Sequence, residues 1–123
     1  MGTARLLVNE LCALLDLHTR GLLMQRWLAP RDPARTAPGV PPVLFVHGIL
    51  CNGGVWHRCL AALERRGVQN LFTLNLEPPL ASVDCFAQQL VRRVEEVCRA
   101  TGAQRAIIVG HSLGGLVARA CIA

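Results

Sequence analysis

Three short apolar runs, "VLFVH" (43–47), "NLFTLNL" (70–76) and "RAIIVG" (105–110), constrain this chain more than anything else in it. They are rich in β-branched and aromatic residues and show no polar–apolar alternation, the pattern of strands buried on both faces. Between them lie amphipathic stretches of helical period. "GVWHRCLAALERRG" (54–67) spaces Trp56, Cys59, Leu60 and Leu63 along one stripe and closes at Gly67. In the second, Ser82 is a candidate cap with Asp84 in the first turn, Phe86, Leu90, Val94 and Val97 form the stripe, and Gly102 ends it. Arg92, Arg93, Glu96 and Arg99 decorate its outer surface. Strands joined through helices pair in parallel by right-handed crossovers. The expected class is α/β: part of a doubly wound sheet, about three parallel strands with flanking helices. So small a sheet leaves at least one apolar edge bare, a template for self-association.

The third run feeds directly into Gly110-His111-Ser112-Leu113-Gly114 and then an apolar helix. A G-x-S-x-G pattern alone carries little weight, but a strand running in and a helix running out give it a physical context. A serine on so sharp a turn has strained backbone angles, and side chains at 110 and 114 would collide with the turn. Gly115 is expected to let the helix lie close to the sheet. The hydroxyl would stand at the C-terminal end of the strand and at a helix N-terminus, whose partial positive charge favours a developing oxyanion. A phosphate loop would need a different glycine and lysine spacing, which "GHSLGG" lacks.

A second loop supports this reading. His47 and Gly48 end the first run, where acyl-transfer enzymes place a backbone N–H aimed at the substrate oxygen. Gly48 permits close approach, and the Ile49 amide is the natural donor, with the Leu113 amide as its partner across the site. His47 is expected to hold the loop rather than to act as a base. His111 is expected to turn into the fold, since adjacent side chains in such a turn diverge.

These segments, "PPVLFVHGILCNGGVWH", "NLFTLNLEPPL" and "IIVGHSLGGLVARA", resemble the α/β-hydrolase superfamily, in particular bacterial triacylglycerol lipases and esterases with an "HG" oxyanion loop. The resemblance covers residues 41–123. It implies that Ser112 is the nucleophile and that Ile49 and Leu113 supply the oxyanion-hole amides. The implied substrate is a carboxylic ester or acylglycerol whose acyl chain meets Ile49 and Leu50, with no cofactor and no metal. In the family the triad acid and histidine follow the serine. The eleven residues after Ser112 contain no His, Asp or Glu. The expectation is therefore the N-terminal portion of a hydrolase domain, inactive alone. Two alternatives remain: a thioesterase or acyltransferase of the same fold, and a non-catalytic assembly protein derived from a hydrolase.

Upstream, residues 1–28 form an amphipathic segment with a helix expected over 4–28, which Gly21 could divide. Leu7, Val8, Leu11, Leu14, Leu15 and Leu22 gather within about 120° of arc, opposite Arg5, Asn9, Asp16 and Arg20. The mixed sign of that polar face favours a packing or partner helix over peripheral membrane contact. Residues 29–42, "APRDPARTAPGVPP", hold five of the seven prolines and read as a linker to a domain over 43–123.

Composition closes off other classes. The charge of +5 is carried by arginine alone, scattered without the basic stripe or aromatic platform that nucleic-acid binding needs. Arg65-Arg66 and Arg92-Arg93 are expected on solvated helix faces. The six cysteines show no C-x-x-C or Cys/His spacing, so reduced, buried thiols are expected rather than disulfides or a metal site. With no signal peptide and no long apolar span legible, the cytoplasm is the expected compartment.

Overall fold

The computed structural model describes residues 2–23 and 30–123, with side chains for 6–16, 19 and 30–123. The elements are α1 (Gly2–Leu23), β1 (Val43–Val46), a 3-10 turn (Gly53–Trp56), α2 (His57–Arg65), β2 (Leu71–Leu74), α3 (Val83–Thr101), β3 (Ile107–Gly110) and α4 (Leu113–Ile122). The three strands form one parallel sheet in the order β2-β1-β3. Val43 stands level with Leu71 and Ile107, and Val46 with Leu74 and Gly110.

The period-2 geometry of β1 explains the layering. Leu44 and Val46 point to one face, where Phe86, Leu90 and Val97 of α3 and Val117 of α4 close the main core. Phe45 points to the other and packs with Leu60 of α2, flanked by Val43, Trp56 and Leu63. A central strand covered on both faces has no need of alternation, so its run reads as wholly apolar. The capping chemistry of α3 is as the residues suggest. Ser82 Oγ accepts the Cys85 N–H at 3.2 Å, and Gly102 takes the left-handed conformation (φ 68°) that lets its amide reach Cys98 O.

Several expectations need correction. Arg93 is buried, not solvated. Its guanidinium donates to Thr73 O and to the carboxylates of Asp32 and Glu96, and it lies 5.7 Å from the Phe72 ring centroid. Burial works against its charge, but Glu96 and Asp32 outweigh that and raise its pKa. Cys12 and Cys59 are exposed and the other four thiols are half-buried, so none is a fully buried core residue, and none is in a disulfide. Helix α1 runs through Gly21 unbroken. Residues 24–28 lie outside the described residues, as do the side chains of Leu22 and His18.

Residues 30–42 run against the sheet. The Thr73 N–H donates to Arg31 O at 3.1 Å, and the Arg31 N–H donates to Thr73 Oγ1 at 2.7 Å, which occupies the outer side of β2. Arg31 pairs with Glu64 of α2 and Asp32 with Arg93 of α3. Farther along, the Asn70 side chain accepts the Ala37 N–H and donates to Ala37 O and Val40 O. On the opposite side of the sheet, Ile107 of β3 is 54% exposed, and no described strand pairs with that edge.

Candidate functional site

The Ser112 turn is built by close contact of backbone. The strand ladder continues one step past β3, with the His111 N–H donating to Val46 O at 3.0 Å. The chain then reverses through Ser112 at φ 53°, ψ −119°, and α4 begins at the next residue. A non-glycine residue in that region is strained, and such strain persists only where the surroundings hold it. Two glycines make this possible. A Cβ on Gly110 would lie 2.7 Å from Gly114 C and Gly115 N, and a Cβ on Gly114 would run into Val46 O, with His47 O at 2.8 Å. Gly115 has a lesser part than expected: a Cβ there meets nothing nearer than Gly110 O at 4.0 Å. Gly114, not Gly115, brings α4 onto the sheet.

Ser112 is exposed at the C-terminal end of the parallel strands, and its Oγ caps nothing. The loop after β1 faces it: a Cβ on Gly48 would stand 3.3 Å from Ser112 Cβ and 3.2 Å from His111 Nδ1. Among the described residues, no acceptor takes the Ile49 or the Leu113 N–H. Two unengaged amides thus belong to the two segments that meet at Ser112.

The loop is held from beneath. The Leu76 N–H donates to His47 Nε2 at 2.9 Å, which leaves the ring proton on Nδ1, where it donates to Gly48 O at 2.8 Å. Burial lowers the His47 pKa, opposed by the Gly48 bond and by Glu77. With both nitrogens engaged and the ring neutral, His47 joins the ends of β1 and β2 and has no lone pair for Ser112. Beyond it, Asn75 Oδ1 accepts the Gly53 N–H at 2.7 Å and Asn52 Oδ1 the Gly54 N–H at 2.8 Å. The sequence reading passed over both asparagines. Their signal was present: Asn residues at a strand end and beside Gly-Gly often bond nearby backbone amides.

His111 is exposed, contrary to expectation, with its ring edge-on to Trp56 at 6.4 Å. Trp56 packs against Phe45 with ring centroids 5.1 Å apart and the rings tilted by 57°, and its indole N–H is buried without a partner among the described residues. His57 Nδ1 lies 3.1 Å from Gly54 O. Among the described residues no histidine is hydrogen-bonded to Ser112, and no cluster of three His, Cys, Asp or Glu is arranged to hold a metal. Ile49 and Leu50 are 56% and 49% exposed beside the turn, and Leu50 also has a positive φ of 54°. A surface hollow of about 530 Å³ between residues 31–37 and Asn70-Leu71 lies at the N-terminal end of the strands, away from Ser112.

A parallel sheet wound with helices on both faces, carrying a serine on a left-handed strand-to-helix turn, defines a class. The chain belongs to the alpha/beta hydrolase family, whose sequence pattern matches residues 43–123. Among characterised proteins it is similar to the pimeloyl-[acyl-carrier protein] methyl ester esterase of Vibrio atlanticus (strain LGP32), with 38% identity over 78 residues. That alignment takes in 63% of this chain and 29% of the esterase, so the chain spans well under half of that relative's length. No described helix is long and apolar enough to cross a membrane.

Proposed function

We propose that this chain carries the nucleophile and oxyanion half of a serine ester hydrolase. The observation that carries the reading is Ser112 itself, an exposed hydroxyl in a strained left-handed turn that glycine packing holds in place. In this reading Ser112 Oγ attacks the carbonyl carbon of a carboxylic ester, and the Ile49 and Leu113 amides receive the oxygen as it becomes negative. Preorganised donors of this kind supply a large part of the catalysis of acyl transfer. Ile49 and Leu50 form the apolar wall for the acyl chain, and the similarity to an esterase acting on an acyl methyl ester supports an aliphatic acyl group.

Activation of Ser112 needs a base, and none of the histidines with described side chains supplies one. Losing the base of a serine hydrolase costs on the order of 10⁶ in kcat. Residues 1–123 are therefore expected to hydrolyse p-nitrophenyl acetate no faster than Ser112→Ala does. Added imidazole, as a diffusible base, is expected to yield an acetyl group on Ser112, located by peptide mass spectrometry. Absence of that adduct with imidazole present would remove Ser112 as the nucleophile. A Ser112-dependent burst without imidazole would instead place the base within this chain.

A further inference from the structure

Among the described residues, those other than glycine with a positive φ are Leu50 at 54°, Asn70 at 55° and Ser112 at 53°. Two of them have a cause. Asparagine tolerates left-handed backbone, and the Asn70 side chain is tied to Ala37 and Val40. Ser112 is held by the glycine contacts of its turn. Neither cause applies to Leu50. The Cys51 N–H donates to Gly48 O at 3.3 Å, so residues 48–51 form a four-residue turn with Leu50 in third place. A positive φ at that place calls for glycine or asparagine. A leucine there brings its Cβ close to the carbonyl that follows.

The loop cannot relax by shifting its ends. At one end Gly48 O accepts the His47 Nδ1–H at 2.8 Å. At the other, the Gly53 N–H donates to Asn75 Oδ1 at 2.7 Å, and a Cβ on Gly53 would lie 2.9 Å from Thr73 Oγ1. A glycine at position 50 would relieve the strain, yet the chain carries leucine. Core packing does not explain that choice. Leu50 belongs to neither hydrophobic cluster and is 49% exposed. Strain of this kind collects where a site makes use of it.

We infer that Leu50 selects the acyl chain: its strained backbone presents an apolar side chain to the substrate beyond the carbonyl, favouring straight medium-length acyl esters over acetyl esters. The assignment rests on the reading of Ser112 as nucleophile and adds to it one selecting side chain and a chain length. A Cβ on Gly48 would stand 3.3 Å from Ser112 Cβ, so Gly48 borders the position of the acyl carbonyl. Leu50 lies two residues on, its Cα at most about 7.6 Å from that of Gly48. An acetyl group, with a single carbon beyond the carbonyl, ends before that side chain. A hexanoyl chain lies along it. Covering the exposed half of a leucine side chain corresponds to roughly tenfold in selection.

The test gives the full chain, with imidazole, an equimolar mixture of p-nitrophenyl acetate and p-nitrophenyl hexanoate. In each case Ser112 Oγ bonds to the carbonyl carbon, p-nitrophenolate leaves and imidazole takes the hydroxyl proton. Mass spectrometry of the Ser112 peptide reads the ratio of hexanoyl to acetyl adduct, taken relative to the native chain so that the intrinsic reactivities of the esters cancel. Leu50→Ala removes the side chain and keeps the left-handed backbone, whereas Leu50→Gly removes the side chain and the strain together. Both are expected to lower the ratio roughly tenfold. Urea midpoints should place Leu50→Gly above Leu50→Ala, the reverse of the order at ordinary backbone angles. A fall of less than about threefold in either variant, with adducts still formed, would overturn the proposal and leave Ser112 as nucleophile. So would Leu50→Ala at least as stable as Leu50→Gly, which would remove the strain at position 50. Absence of both adducts from the native chain would overturn the nucleophile reading, and this assignment with it.

Discussion

At the scale of single residues, the Ser112 turn divides its glycines sharply. A methyl group at Gly114 has nowhere to go, because its neighbours are the backbone carbonyls of Val46, the last residue of the central strand, and of His47 just beyond it. The Val46 carbonyl cannot yield without losing the His111 N–H that it accepts. Gly114→Ala is expected to cost about 3–5 kcal/mol, at the severe end for a point substitution. Gly115→Ala adds its methyl in open space within a helix and should stabilise by up to about 1 kcal/mol, the usual gain over glycine there. Urea midpoints of the two variants measure the difference. Equal midpoints would mean that α4 is not seated on the sheet through Gly114. The contrast also has a functional reading: the tight glycine beneath Ser112 keeps the hydroxyl lifted, while the second glycine is free to vary.

At the scale of elements, Arg93 joins three of them. From α3 it reaches the Thr73 carbonyl of β2 and the Asp32 carboxylate of the 30–42 segment, with Glu96 closing the set. Replacing it by leucine strands Thr73 O and frees Asp32. The carboxylates are mostly exposed, at 61% and 62%, so the loss falls short of that for a fully buried pair. Arg93→Leu is expected to cost about 1–3 kcal/mol, against less than about 0.5 kcal/mol for Arg92→Leu next to it. Thermal unfolding of the two variants side by side tests this, and equal losses would return Arg93 to the solvated surface.

The same residue marks what the sequence could and could not show. Strands β1, β2 and β3, their helices, the caps at Ser82 and Gly102 and the Ser112 turn were legible because each is encoded locally, in period, spacing or a glycine. Arg93 was misread because its partners are remote in sequence: Thr73 is twenty positions away and Asp32 sixty-one. Proline-rich composition likewise gives no hint that residues 30–42 bond to β2 and Asn70. The exposed ring of His111 depends on Trp56 and Gly48, which only the fold brings beside it.

At the scale of the whole molecule, one buried histidine couples stability to pH. His47 is neutral in the fold because burial lowers its pKa below the ordinary 6.5. Once unfolded, it recovers the ordinary value and binds a proton more readily than the folded chain does. Stability therefore rises with pH wherever the unfolded state holds the extra proton. The His47 contribution is complete above about pH 7. It is lost progressively as pH falls below 6.5 toward the lower folded value, where the slope ends. Protonating Nε2 would also expel the Leu76 N–H, separating the ends of β1 and β2 and loosening the loop that presents the Ile49 amide. Measured between pH 5 and 8, the free energy of unfolding should decline on the acid side of 6.5 in the native chain. In His47→Gln the slope from this group should be absent, at a uniform cost of about 1–3 kcal/mol for the broken bonds. An unchanged slope in that variant would move the pH sensitivity to another group. It would also remove His47 from its place as the neutral tie between the strand ends.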